Sequence, residues 1–424
     1  MLQVAHIREN KLDTIEGLSK RNIEQPELLL DQVIALDDKR KDTQKQLDAL
    51  LAEMNAAAKH IGSLMKKGEK EEAEQAKTKV SDIKLESKTL QDELNAVVFD
   101  LEKALYNIPN IPHSSVKKGK GADDNEILSE HGEKPVLNDK KSPHWELIKE
   151  YDIIDFELGV KISGAGFPVY KGKGARLQRA LLNFFLDEAD KAGFKEIQPP
   201  ILINEQSGLG TGQLPDKEGQ MYHVPEVDLY LIPTGEVPIT NMLRDTIVDQ
   251  AELPIKLTGY TPCFRKEAGS WGAHVRGLNR LHQFDKVEIV QVQHPDKSYE
   301  ALEEMSAYVQ GLLKKLALPY RVLRLCGGDM GFTAALTYDM EVWSAAQEKW
   351  LEVSSVSNFE TYQANRLKLR YKDDQKKKHL LHTLNGSALA FPRILASILE
   401  NNQTADGIKI PEVLQPYTGF EMIS

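Results

Sequence analysis

The sequence predicts an α+β protein in two parts: an N-terminal antiparallel coiled-coil hairpin, then an antiparallel sheet flanked by helices. Three observations carry that prediction. A first apolar seam at coiled-coil spacing starts at Leu29, a second follows a glycine-marked break at Gly68, and beyond residue 145 short strand-like runs interleave with amphipathic helices.

The first seam reads Leu29, Val33, Leu36, Arg40, Thr43, Leu47, Leu50, Met54, Ala57, Ile61 and Leu64. Apolar residues that step by four and three keep one stripe facing a partner helix. The run "KKGEKEE", Lys66 to Glu72, interrupts it. The second seam reads Ala73, Ala76, Val80, Ile83, Ser87, Leu90, Leu94, Val97, Leu101 and Ala104. It stops at "YNIPNIP", where Pro109 and Pro112 cannot continue a helix. Two long helices joined by a short turn pack antiparallel. At about 1.5 Å per residue, roughly 35 residues give an arm of roughly 50 Å, most of it in solvent. Pro26 to Gly68 holds seven basic and seven acidic residues, and Glu69 to Leu105 six and ten. An arm so balanced would grip RNA by shape and a few selected cations; a dimerisation or spacer element is the competing reading.

The predicted organisation is an arm over residues 1–110, its hairpin at about 28–106, a polar linker over 111–145, and a catalytic domain over 146–424. In the last, Gly174 to Gly193 reads as an amphipathic helix, and "FKEIQPPILI" as a strand interrupted by prolines. "KLTGYTPCFRKE" and "RLHQFDKVEIVQV" read as two strands around a long loop, with further strands in "YDMEVWS" and "WLEVSSVSNF" and a last helix in "SALAFPRILASILENN". This order is not a Rossmann alternation.

The net charge of −10 excludes a globally basic nucleic-acid binder, so any contact with nucleic acid uses local patches. No run of 18 apolar residues appears and the first residues lack a signal-peptide pattern, so a cytoplasmic protein without a membrane span is expected. The two cysteines, Cys263 and Cys326, form no CxxC and argue against a structural zinc. His379 and His382 read as surface residues. No GxxxxGK[ST] phosphate loop occurs, so a nucleotide would have to be held by arginines and carboxylates.

Such a set lies in "FRKEAGSWGAHVRGLNRLHQFDKVE", Phe264 to Glu288. Joining a carboxylic acid to a nucleotide phosphate needs guanidinium groups for the phosphates, carboxylates for a hard cation and an aromatic face for the base. Arg265, Glu267, Arg280, Phe284 and Glu288 supply these types in one strand–loop–strand. Strand periodicity puts Arg265 and Glu267 on one face, and Phe284 and Glu288 on one face.

That run resembles motif 2 of class II seryl-tRNA synthetases. Phe167 to Pro200 resembles the family's motif 1, Leu384 to Asn401 its motif 3, and "PTGEVP", Pro233 to Pro238, its serine-binding TxE element. The likeness spans nearly the whole chain, arm included, and implies a class II synthetase domain behind the hairpin. It implies an ATP-dependent ligase that activates L-serine as seryl-adenylate and transfers it to tRNA(Ser), with tRNA(Sec) as a second candidate, and that works as a homodimer with Mg²⁺. One arm would then reach the tRNA held at the partner's active site. By the same resemblance Arg265, Glu267 and Arg393 would be catalytic. Arg265 would bridge the α-phosphate and the serine carboxylate, Glu267 would read the adenine amino group, and Phe284 and Arg393 would sandwich the base. Arg280 would meet the γ-phosphate, Lys266 would join the nucleotide contacts, and Glu352, Val353, Ser354 and Ser355 would line the nucleotide, with Glu352 and Ser355 holding Mg²⁺. Thr234 and Glu236 would take the α-amino group, with Gly235 among the serine-binding residues, Glu288 would accept from the serine hydroxyl, and Ser387 would line the same pocket. Trp271 and Arg276 would meet the tRNA acceptor end. Phe391-Pro392 depart from the bacterial pattern of a small or β-branched residue followed by glycine, and a proline there suits a helix's first turn.

Three rivals remain at the level of sequence. A relative that loads a carrier protein would lack the arm; a threonine enzyme would carry a zinc site; a coiled-coil adaptor would leave the arginine–carboxylate set without a purpose.

Overall fold

The computed structural model describes residues 1–137, 141–267 and 276–424. They divide into two compact units, Met1–Ser19 with Ile23–Pro109, and Lys20–Asn22 with Asn110–Ser424.

In the first unit helix α1 runs Pro26–Lys67 and helix α2 runs Lys70–Tyr106, packed along each other. Every seam position named above is buried or half-buried. Pro26 sits in the first turn of α1, where its missing N–H costs nothing. Gly68 ends α1 at φ +84°, a left-handed cap that favours glycine. The polar seam position Arg40 is explained by Asp37, buried one turn earlier and 2.8 Å from the guanidinium. Burial alone would raise the Asp37 carboxyl, but Lys41, Arg40 and Arg8 hold it at about 2.

The second unit is built on one eight-stranded sheet. Its strands are β1 (Glu126–His131), β2 (Lys195–Glu196), β3 (Ile255–Phe264), β4 (Gln283–Gln293), β5 (Tyr320–Arg324), β6 (Leu336–Ser344), β7 (Lys349–Asn358) and β8 (His382–Ala390). They lie in the order β1-β5-β6-β7-β8-β4-β3-β2, antiparallel throughout except for β2 beside β3. Helices α3 (Gly172–Lys191), α4 (Ser298–Lys315) and α5 (Phe391–Asn401) contribute Leu177, Phe184, Leu302, Val309, Ile394 and Ile398 to its core. Pro392 lies in the first turn of α5, as its sequence position suggests. Arg393 is the one residue of α5 that is not buried. Among the described residues no helix is long and apolar enough to cross a membrane.

Two local readings change. The segment read as a linker contains β1, an edge strand paired with β5. Its alternation is muted because neither face is buried. His382 is buried, with Ser298 Oγ at 2.7 Å from its Nδ1, and burial pushes its pKa down to about 4. His379 pairs instead with Asp373.

Candidate active site

The strand registers put the candidate residues on one face of the sheet. Across β4 and β3, Phe284 opposes Cys263, Lys286 opposes Thr261 and Glu288 opposes Gly259. Across β4 and β8, Glu288 opposes Ser387 and Val290 opposes Asn385. Ser357 of β7 opposes Asn385, and Asp339 of β6 opposes Ser355. Alternation then assigns Phe284, Lys286, Glu288, Asn385, Ser387, Ser355 and Asp339 to one surface, while Val287, Ile289 and Val356 enter the core behind it. The mixed character of β4 is thus a core face backing a polar site face.

Glu352 and Ser355 are three apart and would fall on opposite faces of a regular strand. A bulge removes the conflict: Glu341 pairs with Glu352 and Met340 with Ser354, leaving Val353 without a partner in β6. Glu352 and Ser355 therefore share the site face. Val353 enters the core, and the Ser354 hydroxyl donates to the Ser387 carbonyl at 2.6 Å. A nucleotide contact from either of these two would have to come from the main chain.

At the centre lies a buried polar knot. Glu288 is 1% exposed. Its Oε2 accepts from Thr234 Oγ at 3.0 Å and from Lys286 Nζ at 2.7 Å. Its Oε1 accepts from Asn385 Nδ2 at 3.3 Å. Thr234 Oγ also accepts from Lys286 Nζ at 2.9 Å and from the Glu236 N–H at 3.2 Å. A hydroxyl has one proton and two lone pairs, so Thr234 Oγ is saturated. An amino group could meet Thr234 only through its carbonyl. A side chain at Gly235 would be crowded: a Cβ there would stand 3.0 Å from Thr261 Oγ and 3.3 Å from Glu288 Cβ, so these neighbours would have to give way.

Glu236 begins the short helix Glu236–Asn241 and is buried. Gln363 Nε2 donates to it at 2.6 Å, and Thr383 Oγ donates to Gln363 Oε1 at 2.7 Å. Gln363 Nε2 also donates to the Thr211 carbonyl at 3.2 Å, which fixes the amide's orientation. Burial, then the charge of Glu288, raises the Glu236 carboxyl to about 7 against the lowering pull of Gln363, Lys286 and Arg265.

Arg265 follows β3 directly. Its N–H donates to the His282 carbonyl at 2.9 Å, extending the β3–β4 ladder by one pair. Its Nε donates to the Pro233 carbonyl at 3.3 Å, and its guanidinium lies 5.2 Å from the Phe284 ring centre. Glu267, at φ +48°, accepts from Arg280 at 2.9 Å across the base of the loop. The Lys266 N–H donates to the Gln220 carbonyl. Arg276 lies over the Trp145 ring at 4.9 Å. Trp271 falls outside the described residues.

Arg393 donates to the Glu352 carbonyl at 2.7 Å and to the Asn279 carbonyl at 3.2 Å, with the Glu352 carboxylate at 3.5 Å. The last turn of α5 also holds the far side of the loop. His144 Nε2 accepts from the Leu278 N–H at 2.8 Å, and its Nδ1 lies 2.6 Å from buried Glu400. The Leu278 donor assigns the ring proton to Nδ1.

The donor set near Glu352 suits a hard cation. Glu352 and Ser355 offer oxygen only, and Asp339 stands beside them with Oδ1 buried and without a hydrogen-bond partner. Burial, reinforced by the charge of Glu352, raises the Asp339 carboxyl well above its ordinary range against the lowering pull of Ser355.

Sequence reasoning missed Lys286, Asn385, Gln363 and Asp339. Lys286 shares strand parity with Phe284 and Glu288, a signal that could have found it. Gln363 lies on a different element, and nothing local points to its partner.

Comparison with known proteins defines the class first. Residues 222–402 match the family model of the class II tRNA synthetase core domain (G, H, P, S and T). Residues 1–112 match the seryl-tRNA synthetase N-terminal domain. The chain is 48% identical over 425 residues to a serine–tRNA ligase of Salinibacter ruber (strain DSM 13855 / M31), covering 100% of this chain and 99% of that one. It is 46% identical over 430 residues to one from Chlorobium chlorochromatii (strain CaD3), covering all of both. The seryl-tRNA synthetase of Pyrococcus horikoshii, solved in complex with ATP, superposes with a TM-score of 0.91 at 34% identity, covering 100% of this chain and 99% of that one. This chain belongs to the seryl-tRNA synthetase family.

Proposed function

We propose that this protein is a serine–tRNA ligase that makes seryl-adenylate from L-serine and ATP and transfers the seryl group to tRNA(Ser). The observation that carries the reading is the buried Glu288, held by Thr234, Lys286 and Asn385 beside Glu236, which itself lies within electrostatic reach of Arg265. A carboxylate with hydrogen-bonding capacity left on Oε1 is the partner a serine hydroxyl needs. A site built to bond a hydroxyl rejects the analogue lacking it by roughly 10⁴-fold or more, so alanine is excluded.

The family's residue roles carry over to these positions. Glu236 takes the α-ammonium group, and Ser387 lines the pocket. Arg265 holds the serine carboxylate against the α-phosphate. That orients the nucleophile and offsets the negative charge on the α-phosphoryl oxygens in the transition state. A carboxylate oxygen attacks the α-phosphorus and pyrophosphate leaves. The 3′-terminal ribose hydroxyl of tRNA then attacks the acyl carbon, and AMP leaves. Phe284 and Arg393 flank the adenine, Glu267 reads its amino group, Lys266 joins the nucleotide contacts and Arg280 meets the γ-phosphate. The Arg280–Glu267 and Arg393–Glu352 pairs open to make those contacts. Glu352 and Ser355 would hold Mg²⁺, which would supply positive charge to the phosphates.

The arm grips the long variable region of tRNA(Ser) by shape, and tRNA(Sec) is a second candidate. The homodimer expected of the family has an apolar surface to use, since Leu158, Val160 and Ile162 are exposed on one short helix. The reaction belongs in the cytoplasm, where ATP and uncharged tRNA are found.

Serine-dependent exchange of labelled pyrophosphate into ATP tests the reading. Exchange with serine and not with alanine or threonine is expected. Its absence in purified protein that still binds tRNA would overturn the enzyme assignment.

A further inference from the structure

The proposed roles leave out Lys286, a lysine almost wholly buried at the floor of the serine pocket. Lysine is among the residues least often buried without a partner, because its desolvated charge is costly. Here both contacts are specific. Nζ lies 2.7 Å from Glu288 Oε2 and 2.9 Å from Thr234 Oγ. The two side chains leave β4 on the same face, two residues apart, and Thr234 reaches them from the segment that precedes the Glu236 helix.

We infer that Lys286 is a positioning and specificity-determining residue, which occupies one oxygen of Glu288 and balances its charge so that the other oxygen alone is presented to the serine hydroxyl. The inference deepens the serine-ligase reading and rests on it. Two consequences follow from the geometry. First, Oε2 already takes two donors, so an incoming hydroxyl is directed to Oε1, beside Asn385. Second, the charges sum to match a zwitterion. Glu236 and Glu288 contribute two negative charges and Lys286 one positive, which leaves one negative charge for the α-ammonium group. Arg265 supplies the positive charge for the carboxylate. Without Lys286, two carboxylates would be buried together and one would retain a proton. Glu288 Oε2, relieved of its lysine, would no longer confine the incoming hydroxyl to Oε1.

The groups that set Glu236 are known from every side: Glu288 and Lys286 on β4, Arg265 after β3, Gln363 on the helix Thr361–Leu367, with the buried Cys263 thiol beside Lys286. Loss of Lys286 removes a group that lowers the Glu236 carboxyl, so its titration moves upward. Binding of the ammonium group requires Glu236 to be ionised. The pH below which serine affinity falls therefore moves upward as well.

The test is pyrophosphate exchange with the full chain and its Lys286→Met variant, with serine and alanine, from pH 6 to 9. Three results are expected: a serine KM raised about tenfold or more with kcat within about threefold, a serine-over-alanine ratio of kcat/KM reduced about tenfold, and an upward displacement of the pH break in serine KM. ATP KM should stay within about twofold. A serine KM and pH break unchanged in Lys286→Met, or equal losses for serine and ATP, would overturn the inference. Should Lys286→Met fail to fold, Lys286→Arg carries the test. It keeps the charge, so the wild-type pH break and alanine rejection are expected even if serine KM rises from bulk, and a displaced break would refute the charge role. Absence of serine exchange in the unmodified chain would instead sink the ligase reading, which separates the two failures.

Discussion

Replacing Glu236 by glutamine should make the ligand-free protein more stable at neutral and alkaline pH, by an amount that grows between pH 4.5 and about 7 and then levels off. The Glu236 carboxyl rises from an ordinary 4.5 to about 7 in the folded chain. Between those values the folded state holds a proton that the unfolded state has released, so stability falls as pH rises through that window. Each pH unit is worth about 1.4 kcal/mol, so the loss reaches about 3 kcal/mol and is complete above pH 7. Below pH 4.5 both states hold the proton and nothing is lost. The substituted amide would keep an acceptor for Gln363 Nε2, present at 2.6 Å in the parent, without a charge to desolvate. Urea unfolding of both proteins at pH 5, 6, 7 and 8 checks this. The difference between them should widen by roughly 2–3 kcal/mol from pH 5 to 8. A difference constant within about 0.5 kcal/mol over that range would refute the claim that Glu236 is buried at a cost.

Two further outcomes are expected. Glu288→Ala should lower serine kcat/KM by about 10³-fold or more while ATP binding, measured calorimetrically, changes less than about threefold; equal losses would reassign the residue. Removing Leu29 to Leu105 with a short glycine–serine link should leave serine-dependent exchange within about threefold and abolish aminoacylation of tRNA(Ser); charging that survives would refute the arm's role.

The arm was legible residue by residue. A seam that repeats every three to four residues carries its own register, and each position assigned from it is at least half-buried. Even the polar Arg40 keeps its place, because Asp37 one turn back satisfies it. The sheet was legible in its long strands, β3 and β4, whose ends at Phe264 and Gln283 pair directly. It was not legible in β1, whose residues lie at an edge with no buried face to enforce alternation. Within the site, the residue types in the motif were readable but their mutual contacts were not. Lys286 and Glu288 are neighbours on one strand, yet the hydroxyl that joins them comes from Thr234, 52 positions before Lys286. Gln363 reaches Glu236 across a separation of 127 residues. Contacts of that kind depend on sheet order and register, which periodicity alone does not supply.

The unpaired Val353 has a wider bearing. It puts the two halves of β7 out of phase, so that inward and outward are exchanged between Leu351-Glu352 and Ser355-Val356. The spacing between Glu352 and Ser355 is therefore a count that cannot be altered by one. A swap of Val353 for another apolar side chain leaves the phase intact. A deletion would restore plain alternation and turn one half of the strand over, burying a carboxylate or exposing a core valine. In this strand chain length is under tighter constraint than chemistry, and a comparison of relatives should find substitutions at this position but no gaps.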